Sequence, residues 1–448
     1  MAHQQQHEHP QLHYKKGEHG LVRHSPYTML PVPDALEIVL REAVAARREP
    51  ERVELARAAG LVLAGDARAT MALPPFPASI MDGYAVVASD MPGTFPVVGE
   101  VKAGRVADFE VKPGTVARIT TGAPVPAGAD AVIKVEVTEL LAERDAEGRQ
   151  LVKFNVGTAP GRCIRPVGSD IQPDQTVVTA STMIGAAESG LLATVGVKEV
   201  LVHPAPRIAV LSTGDELVEA DKEPGPGQIR DSNKSMLMAA LHQYSSGRWE
   251  AIDVGIAHDD PADLRAKVTQ GLNEADVLLT SGGVSMGELD LLQPLLEELG
   301  TVHFGRVLMK PGKPLTFATV PVPTPGGGTK TVLVFALPGN PVSSLVTFQL
   351  FALPALRSLA GHPQPNLRHA TAKLSFDAPL DPERPEYHRV KLEWNDHDNC
   401  WVAYSTGNQI SSRLLSMQSA DALLCLPQAE GTLAAGTFVK ALLIAHLN

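Results

Sequence analysis

With 448 residues, 44% of them hydrophobic and 20% charged, the chain can bury several cores, which excludes global disorder and favours two to four domains. Its net charge of -11 argues against nucleic-acid or anionic-membrane partners, which call for an extended basic surface. Cys163, Cys400 and Cys425 stand far apart without metal-ligand spacing, so neither a disulfide framework nor a zinc knuckle is expected.

The first 30 residues hold six of the 15 histidines, many Gln and no apolar periodicity, the texture of a mobile tail. No apolar run approaches the roughly 18 to 20 residues of a membrane span, and the start lacks the apolar core of a secretory signal, so a soluble, cytoplasmic protein is expected. From Asp34 to Leu63 the spacing of Ala35, Ile38, Val39, Ala43, Leu55 and Ala58 predicts two amphipathic helices separated near Pro50. Between Met71 and Arg165 short β-branched runs (TFPVVGEV, TVARITTG, ADAVIKVEV) are punctuated by Gly and Pro, the pattern of a small all-β domain. Helical patterning returns over Ser181 to Thr194. The expected order is a split helical first domain (31–69 and 170–205) carrying an inserted β domain (70–169).

From Arg207 strand and helix patterns alternate: RIAVLST, a helix from Ser232, WEAIDVGIA, a helix from Asp260, DVLLT, a helix from Leu289. That rhythm predicts βαβ units and a parallel sheet with helices on both faces. PLTFATV and TVLVFALPG, flanking the Pro/Gly-rich PVPTPGGGT, read as a hairpin added to the sheet, and a long helix starts at Asn340-Pro341, where Asn suits the N-cap and Pro the first helical position. The α/β domain is thus expected over 206–363 and a C-terminal β domain or barrel over 364–448. The fold class is an α/β multidomain protein.

Ligands of open parallel sheets bind at the carboxyl ends of the strands. Three turns there combine glycine with hydroxyl residues: STGDELV from Ser212, TSGGVSMGELD from Thr280 and LPGNPVSSL from Leu337. Free backbone N–H groups and the helix dipole favour a phosphate at such turns. Gly282 and Gly283 let backbone approach an oxyanion, and Ser285 adds a donor. Asp290 follows; it suits a helix N-terminus in its own right, or a divalent cation such as Mg²⁺ beside a phosphate. Asp215 and Glu216 offer a second carboxylate pair. Between Leu299 and Phe376 there is no acid, while seven Lys and Arg fall there. Within it, KPGKP sets Lys310 and Lys313 on a stiff frame whose mutual repulsion a dianion would relieve.

Asp82-Gly83, which suits a hairpin turn, and Thr121, in a Gly/Pro loop, read as structural or functional with equal ease, whereas Asp170, in a glycine turn, says little alone. Arg384 and Ser411 offer oxyanion donors, but a surface charge and a strand-edge hydroxyl are their readier reading.

MDGYAV, TTGAPVPAGADAV, STGDELV, GQIRDSN, LTSGGVSMGELD, LMKPGKPLTFA, LPGNPVSSL, RPEYHR and SSRLLSM, in this order, resemble the molybdenum insertase family, of the plant insertase and gephyrin E-domain type. The resemblance runs from about Pro31 to the C-terminus. It implies the four blocks read above, in a homodimer whose cleft lies between the α/β domain of one subunit and the β insertion of its partner. Asp82, Thr121 and Asp170 would come from one chain; Asp215, Ser285, Asp290, Lys310, Lys313 and Ser343 from the other. Lys310, Lys313, Pro314, Arg384 and Ser411 match positions associated with molybdate, and Asp290 with Asp215 would hold Mg²⁺. The implied reaction moves molybdate onto the dithiolene of adenylated molybdopterin, with hydrolysis and release of AMP. A separate G-domain adenylyltransferase and molybdoenzymes would be partners. The sequence departs from the family at GELD, where relatives often have GDRD, so that Leu289 replaces a cation, and at Pro321 to Thr329. An adenylylating enzyme would need a second glycine-turn unit, and a scaffold reading leaves the acids and lysines unexplained.

Overall fold

The apolar runs from Arg207 onward become the strands of one mixed sheet in the computed structural model, which describes residues 16–17, 20–21, 27–283 and 291–445. Contacts divide the chain into two compact units, Glu51–Val202 and the remainder, Met1–Pro50 with His203–Asn448. Of the N-terminal tail, Lys16–Gly17 pairs with Gly20–Leu21; the rest of 1–26 lies outside the described residues.

In the larger unit, α1 (Val32–Ala45) comes first. The sheet follows with β1 (Arg207–Thr213), α2 (Ser232–Ser245), β2 (Glu250–Ala257), α3 (Pro261–Glu274), β3 (Val277–Ser281), α4 (Leu292–Leu299), β4 (Thr301–Phe304), β5 (Thr316–Pro323) and β6 (Thr329–Leu337). The strand order is β2-β1-β3-β6-β5-β4. The first four are parallel, and β5 and β4 are added antiparallel, so the expected hairpin is present. Strand residues alternate between two cores. Ile208, Val210, Leu279 and Phe335 face one cluster, while Ala209, Leu211, Leu278 and Val334 face the other. Burying each large side chain contributes about 1.5–3 kcal/mol. Helix starts follow capping rules: Asp231 accepts from Lys234 N at 3.1 Å, and Asp260 from Ala262 N and Asp263 N.

After β6 runs α5, Pro341–Leu359, helical throughout with a π-type turn at Phe348–Ala352. Within its 19 residues an 18-residue window has a mean hydropathy of 1.3, so one helix among the described residues is long and apolar enough to cross a membrane, contrary to the expectation. The reason is its place in the fold: 89% of it is buried, packed on all sides in the larger core, and a helix hydrophobic all round is a central helix as readily as a spanning one.

The C-terminal region is a closed five-stranded barrel, as anticipated, with β7 (His369–Leu374), β8 (Glu386–Asn395), β9 (Cys400–Ser405), β10 (Ala422–Leu426) and β11 (Phe438–Leu443) in the order β7-β9-β8-β10-β11.

In the other unit, Ala131–Lys134, Gly83–Val86, Val116–Ile119, Gly93–Val101, Gln150–Phe154 and Thr138–Arg144 form a six-stranded sheet in that order. Its second core joins Ala58, Leu63 and Ala67 to Val178, Ile184, Leu192 and Val200. Two expectations about the start of the chain differ from the structure. The segment after Pro50 is not a helix: Glu51–Glu54 is a strand paired with Glu199–Val202, and only Leu55–Ala58 turns helically before Gly60, at φ 83°, ends it. The apolar spacing that suggested a helix covers a single turn. Second, α1 contributes Ala35, Val39 and Ala43 to the α/β core.

Candidate functional site

The carboxyl ends of β1, β3 and β6 lie in register, Ser212 beside Ser281 and Ser281 beside Leu337, so the three glycine turns emerge side by side. Gly282 N donates to Leu337 O at 3.2 Å. Gly282 has φ 91°, and a Cβ there would lie 2.6 Å from Thr213 O, so only glycine fits between the first and second turns. Asn233, on the first turn of α2, ties the second turn to the third. Its Nδ2 donates to Ser281 Oγ and to Gly339 O, both at 2.7 Å.

These turns form one wall of a cleft of about 1160 Å³. The 229–233 segment, the KPGKP arm and two barrel segments, at Arg384 and at 408–412, form the rest. Glu216, Gly282, Lys310, Lys313, Pro314, Ser343, Arg384 and Ser411 all line it, so eight residues singled out in the sequence converge although they span nearly 200 positions. Gly283 lies beside Gly282, half-buried, with φ 67°. Ser285 and Asp290 lie outside the described residues.

Asn340 occupies the N-cap position of α5 but makes no side-chain cap. Its Nδ2 donates to Ser411 Oγ at 3.2 Å, and Val342 N donates to Ser411 O at 3.1 Å. The helix start is therefore bound to the barrel loop and holds Ser411 at the cleft.

The cations of the cleft are not equivalent. Lys310 Nζ lies 3.0 Å from Glu386 Oε2 and 3.2 Å from Asp381 Oδ2, which corrects the expectation of two unrelieved ammonium groups. Burial opposes the Lys310 charge, but the bonds to Glu386 and then Asp381 outweigh it and hold the amine above its usual value. Asp381 also accepts from Arg384 N at 3.0 Å, and its Oδ2 is 3.9 Å from Arg384 Nη2. Arg384 Nε is buried without a partner among the described residues, and Lys313 forms no ion pair with a carboxylate among them. Around the lysine arm three cations face two carboxylates, and Arg230, Glu216 and Asp231 line the cleft as well. The acid-free stretch of sequence is answered by acids supplied from the start of the barrel.

Asp215 does not line the cleft. It is exposed, and its Oδ1 meets His258 Nδ1 at 3.1 Å and Asp259 N at 3.2 Å. Among the described residues no group of three His, Cys, Asp or Glu is placed to hold a metal ion. Asp290, the other expected magnesium ligand, lies outside the described residues.

In the other unit, Asp82 Oδ1 accepts from Thr121 N at 2.6 Å and from its Oγ1 at 3.1 Å. These two bonds, first the backbone one, hold the carboxyl below its usual range. Asp82-Gly83 is not a hairpin turn: Gly83 opens a strand whose neighbours are Val116–Ile119 and Ala131–Lys134. Asp170 pairs with Arg165, whose backbone pairs with Ala78. Gly122 N donates to Ser79 O, so Asp82, Thr121 and Asp170 gather around one short segment, Ala78–Asp82.

Residues 30–196 match the MoeA N-terminal region (domain I and II), 209–358 a probable molybdopterin binding domain, and 371–444 the MoeA C-terminal region (domain IV). Molybdopterin molybdenumtransferase 2 of Mycobacterium tuberculosis is 35% identical over 87% of this chain and 93% of its own. The chain belongs to the molybdopterin molybdenumtransferase family. Gephyrin of Dictyostelium discoideum is 41% identical over 95% of this chain. A crystal structure of the molybdopterin biosynthesis MoeA protein from Pyrococcus horikoshii superimposes with a TM-score of 0.75 at 30% identity, covering 94% of this chain and all of that one. This chain spans 64% of the length of that gephyrin and 63% of cinnamon, the molybdenum cofactor synthesis protein of Drosophila melanogaster.

Within the molybdenumtransferase fold, sequence reasoning passed over Asn233, Asp231 and Gln409 and read Asn340 only as a helix cap, although all four line the cleft. GQIRDSN carried the signal for the first two, an Asp-Ser-Asn start to a helix directly beside a strand-end turn. In RPEYHR it was Arg384 that drew attention, whereas Arg389 is fully buried, its Nε 3.3 Å from Ser416 Oγ, and burial lowers its guanidinium to about 10.

Proposed function

We propose that this protein is a molybdenum insertase, transferring molybdate onto the dithiolene of adenylated molybdopterin with hydrolysis of the adenylyl pyrophosphate-type bond and release of AMP. The observation that carries the reading is the meeting of Lys313, Arg384 and Ser411 with three glycine turns in one cleft. The turns suit the pterin phosphate, because strand-end backbone N–H groups favour anions. Lys313 and Arg384 suit the oxyanion, since a planar guanidinium donates two parallel hydrogen bonds while an ammonium acts as a point charge. Ser411 and Ser343 supply hydroxyl donors. Lys310, already neutralised by Glu386 and Asp381, holds the arm in place.

In the reaction, water attacks phosphorus, the phosphoanhydride bond breaks, and AMP leaves. The two dithiolene thiols bond to molybdenum and pass their protons to one molybdate oxygen, which leaves as water. Fixed cations lower the repulsion between two anionic reactants and cost no reorganisation as charge develops. Asp215, Ser285 and Asp290 belong to the same proposal; Mg²⁺ at Asp290 and Asp215 would offset charge. The proposal includes a homodimer in which Asp82, Thr121 and Asp170 are supplied by the partner copy.

Purified protein supplied with adenylated molybdopterin, molybdate and Mg²⁺ is expected to release AMP and yield active cofactor. Arg384→Ala should raise the molybdate KM about 10-fold or more, the loss of one charged hydrogen-bond pair, with pterin affinity retained. An unchanged molybdate KM in Arg384→Ala would discard the oxyanion assignment.

A further inference from the structure

Glu386 is a buried carboxylate, 6% exposed, and its two oxygens have different partners. Oε2 meets Lys310 Nζ at 3.0 Å, and Oε1 meets His388 Nδ1 at 3.1 Å. A carboxylate only accepts, so Nδ1 of His388 carries the proton. The opposite ring nitrogen, Nε2, lies 2.8 Å from Ser405 Oγ. Phe376 stacks on the ring at 5.2 Å with a 30° tilt, which restrains its rotation.

Each end of this chain is tied to a segment that lines the cleft. At one end the backbone of the lysine arm is fastened to the same barrel strand, Lys310 N donating to Pro385 O at 2.9 Å and Tyr387 N to Lys310 O at 2.7 Å. At the other end Ser405 Oγ accepts from Gly407 N at 3.2 Å, and Gly407 O accepts from Gln409 Nε2 at 2.9 Å. Ser411 follows two residues on. The Lys310–Glu386–His388–Ser405 chain thus joins the segment that carries Lys313 to the loop that carries Ser411.

We propose that Glu386 and His388 are positioning residues for the oxyanion subsite, fixing the separation between the lysine arm and the Ser411 loop. The inference rests on the reading of the cleft as the molybdate site. Charge alone argues against a carboxylate here, since a negative group beside an anion weakens its binding. Its presence fits a geometric role, as with hydrogen-bonded partners that orient the groups in direct contact with a bound ion.

That conflict of sign supplies the test. Glu386→Gln removes a negative charge, so electrostatics by itself would tighten molybdate binding, whereas loss of positioning weakens it. Isothermal titration of the full-length protein with sodium molybdate is expected to show about 10-fold weaker binding for Glu386→Gln and for the charge-neutral His388→Asn, in the range that such outer partners command. Glu386→Asp should recover part of the loss. Ser405 is exposed, and Ser405→Ala, which leaves the fold intact, should weaken binding about threefold. Tighter or unchanged binding by Glu386→Gln, or unchanged binding by Ser405→Ala, overturns the inference while wild-type binding stands. Wild-type protein that does not bind molybdate overturns the reading of the cleft and this inference with it.

Discussion

Lys310 and Lys313 sit three positions apart on the same arm, yet they differ in what their removal leaves behind. Without Lys310, Glu386 and Asp381, 7% and 13% exposed at their side chains, lose a counter-ion. Lys310→Ala is expected to destabilise the protein by about 1–3 kcal/mol, less than for a fully buried pair because the amine is partly exposed. Lys313→Ala should leave the melting temperature within about 1 °C and weaken molybdate binding; thermal denaturation and titration of the two variants check this, and equal melting temperatures would contradict it. The two lysines look alike in the sequence because their distinction comes from acids more than 70 positions away, which no local spacing reveals. The pH response follows from the same contacts. Burial works against the Glu386 charge, but His388 and then Lys310 outweigh it and keep the carboxyl below its ordinary range. A depressed carboxyl contributes stability above its unfolded value, and that contribution is lost as pH falls through the folded one. Calorimetry between about pH 7 and pH 3 should therefore show a steeper acid-side loss of stability for wild type than for Glu386→Gln, and parallel curves would contradict it.

The three strand-end turns were legible because strand-helix alternation gives a strong periodic signal and glycine marks each turn. What joins them was not, since Asn233 acts through space. Gly282→Ala would place a Cβ 2.6 Å from Thr213 O at φ 91°. We expect it to cost about 1–3 kcal/mol and to impair pterin binding, as read by denaturant unfolding and by titration with the pterin. Wild-type stability in Gly282→Ala would show that the turns are not packed as described. Asn340 shows how a correct position can conceal a different role: it stands at the N-cap, but its side chain serves Ser411 instead. The helix expected after Pro50 failed for a simpler reason, because one helical turn satisfies the apolar spacing as well as three.

At the scale of the molecule, the β insertion, the parallel sheet and the C-terminal barrel were each readable from period and punctuation. The membership of α1 was less so, since an amphipathic stripe states that a core exists and not which one. The apolar α5 likewise acquires its meaning from the strands and helices around it. Asp82, Thr121 and Asp170 gather within their own unit, and the proposed homodimer makes a quantitative statement about them. Mixing Asp82→Asn with Arg384→Ala subunits, at molybdate too dilute for either to turn over alone, should restore about a quarter of wild-type turnover, because half the random dimers carry one intact site of two. No recovery would place both groups in the same subunit's site. The most direct measurement of the central claim is AMP release by the purified protein from adenylated molybdopterin, with and without molybdate: release that rises with molybdate and needs about 10-fold more of it in Arg384→Ala is the predicted result, and release indifferent to both would contradict it.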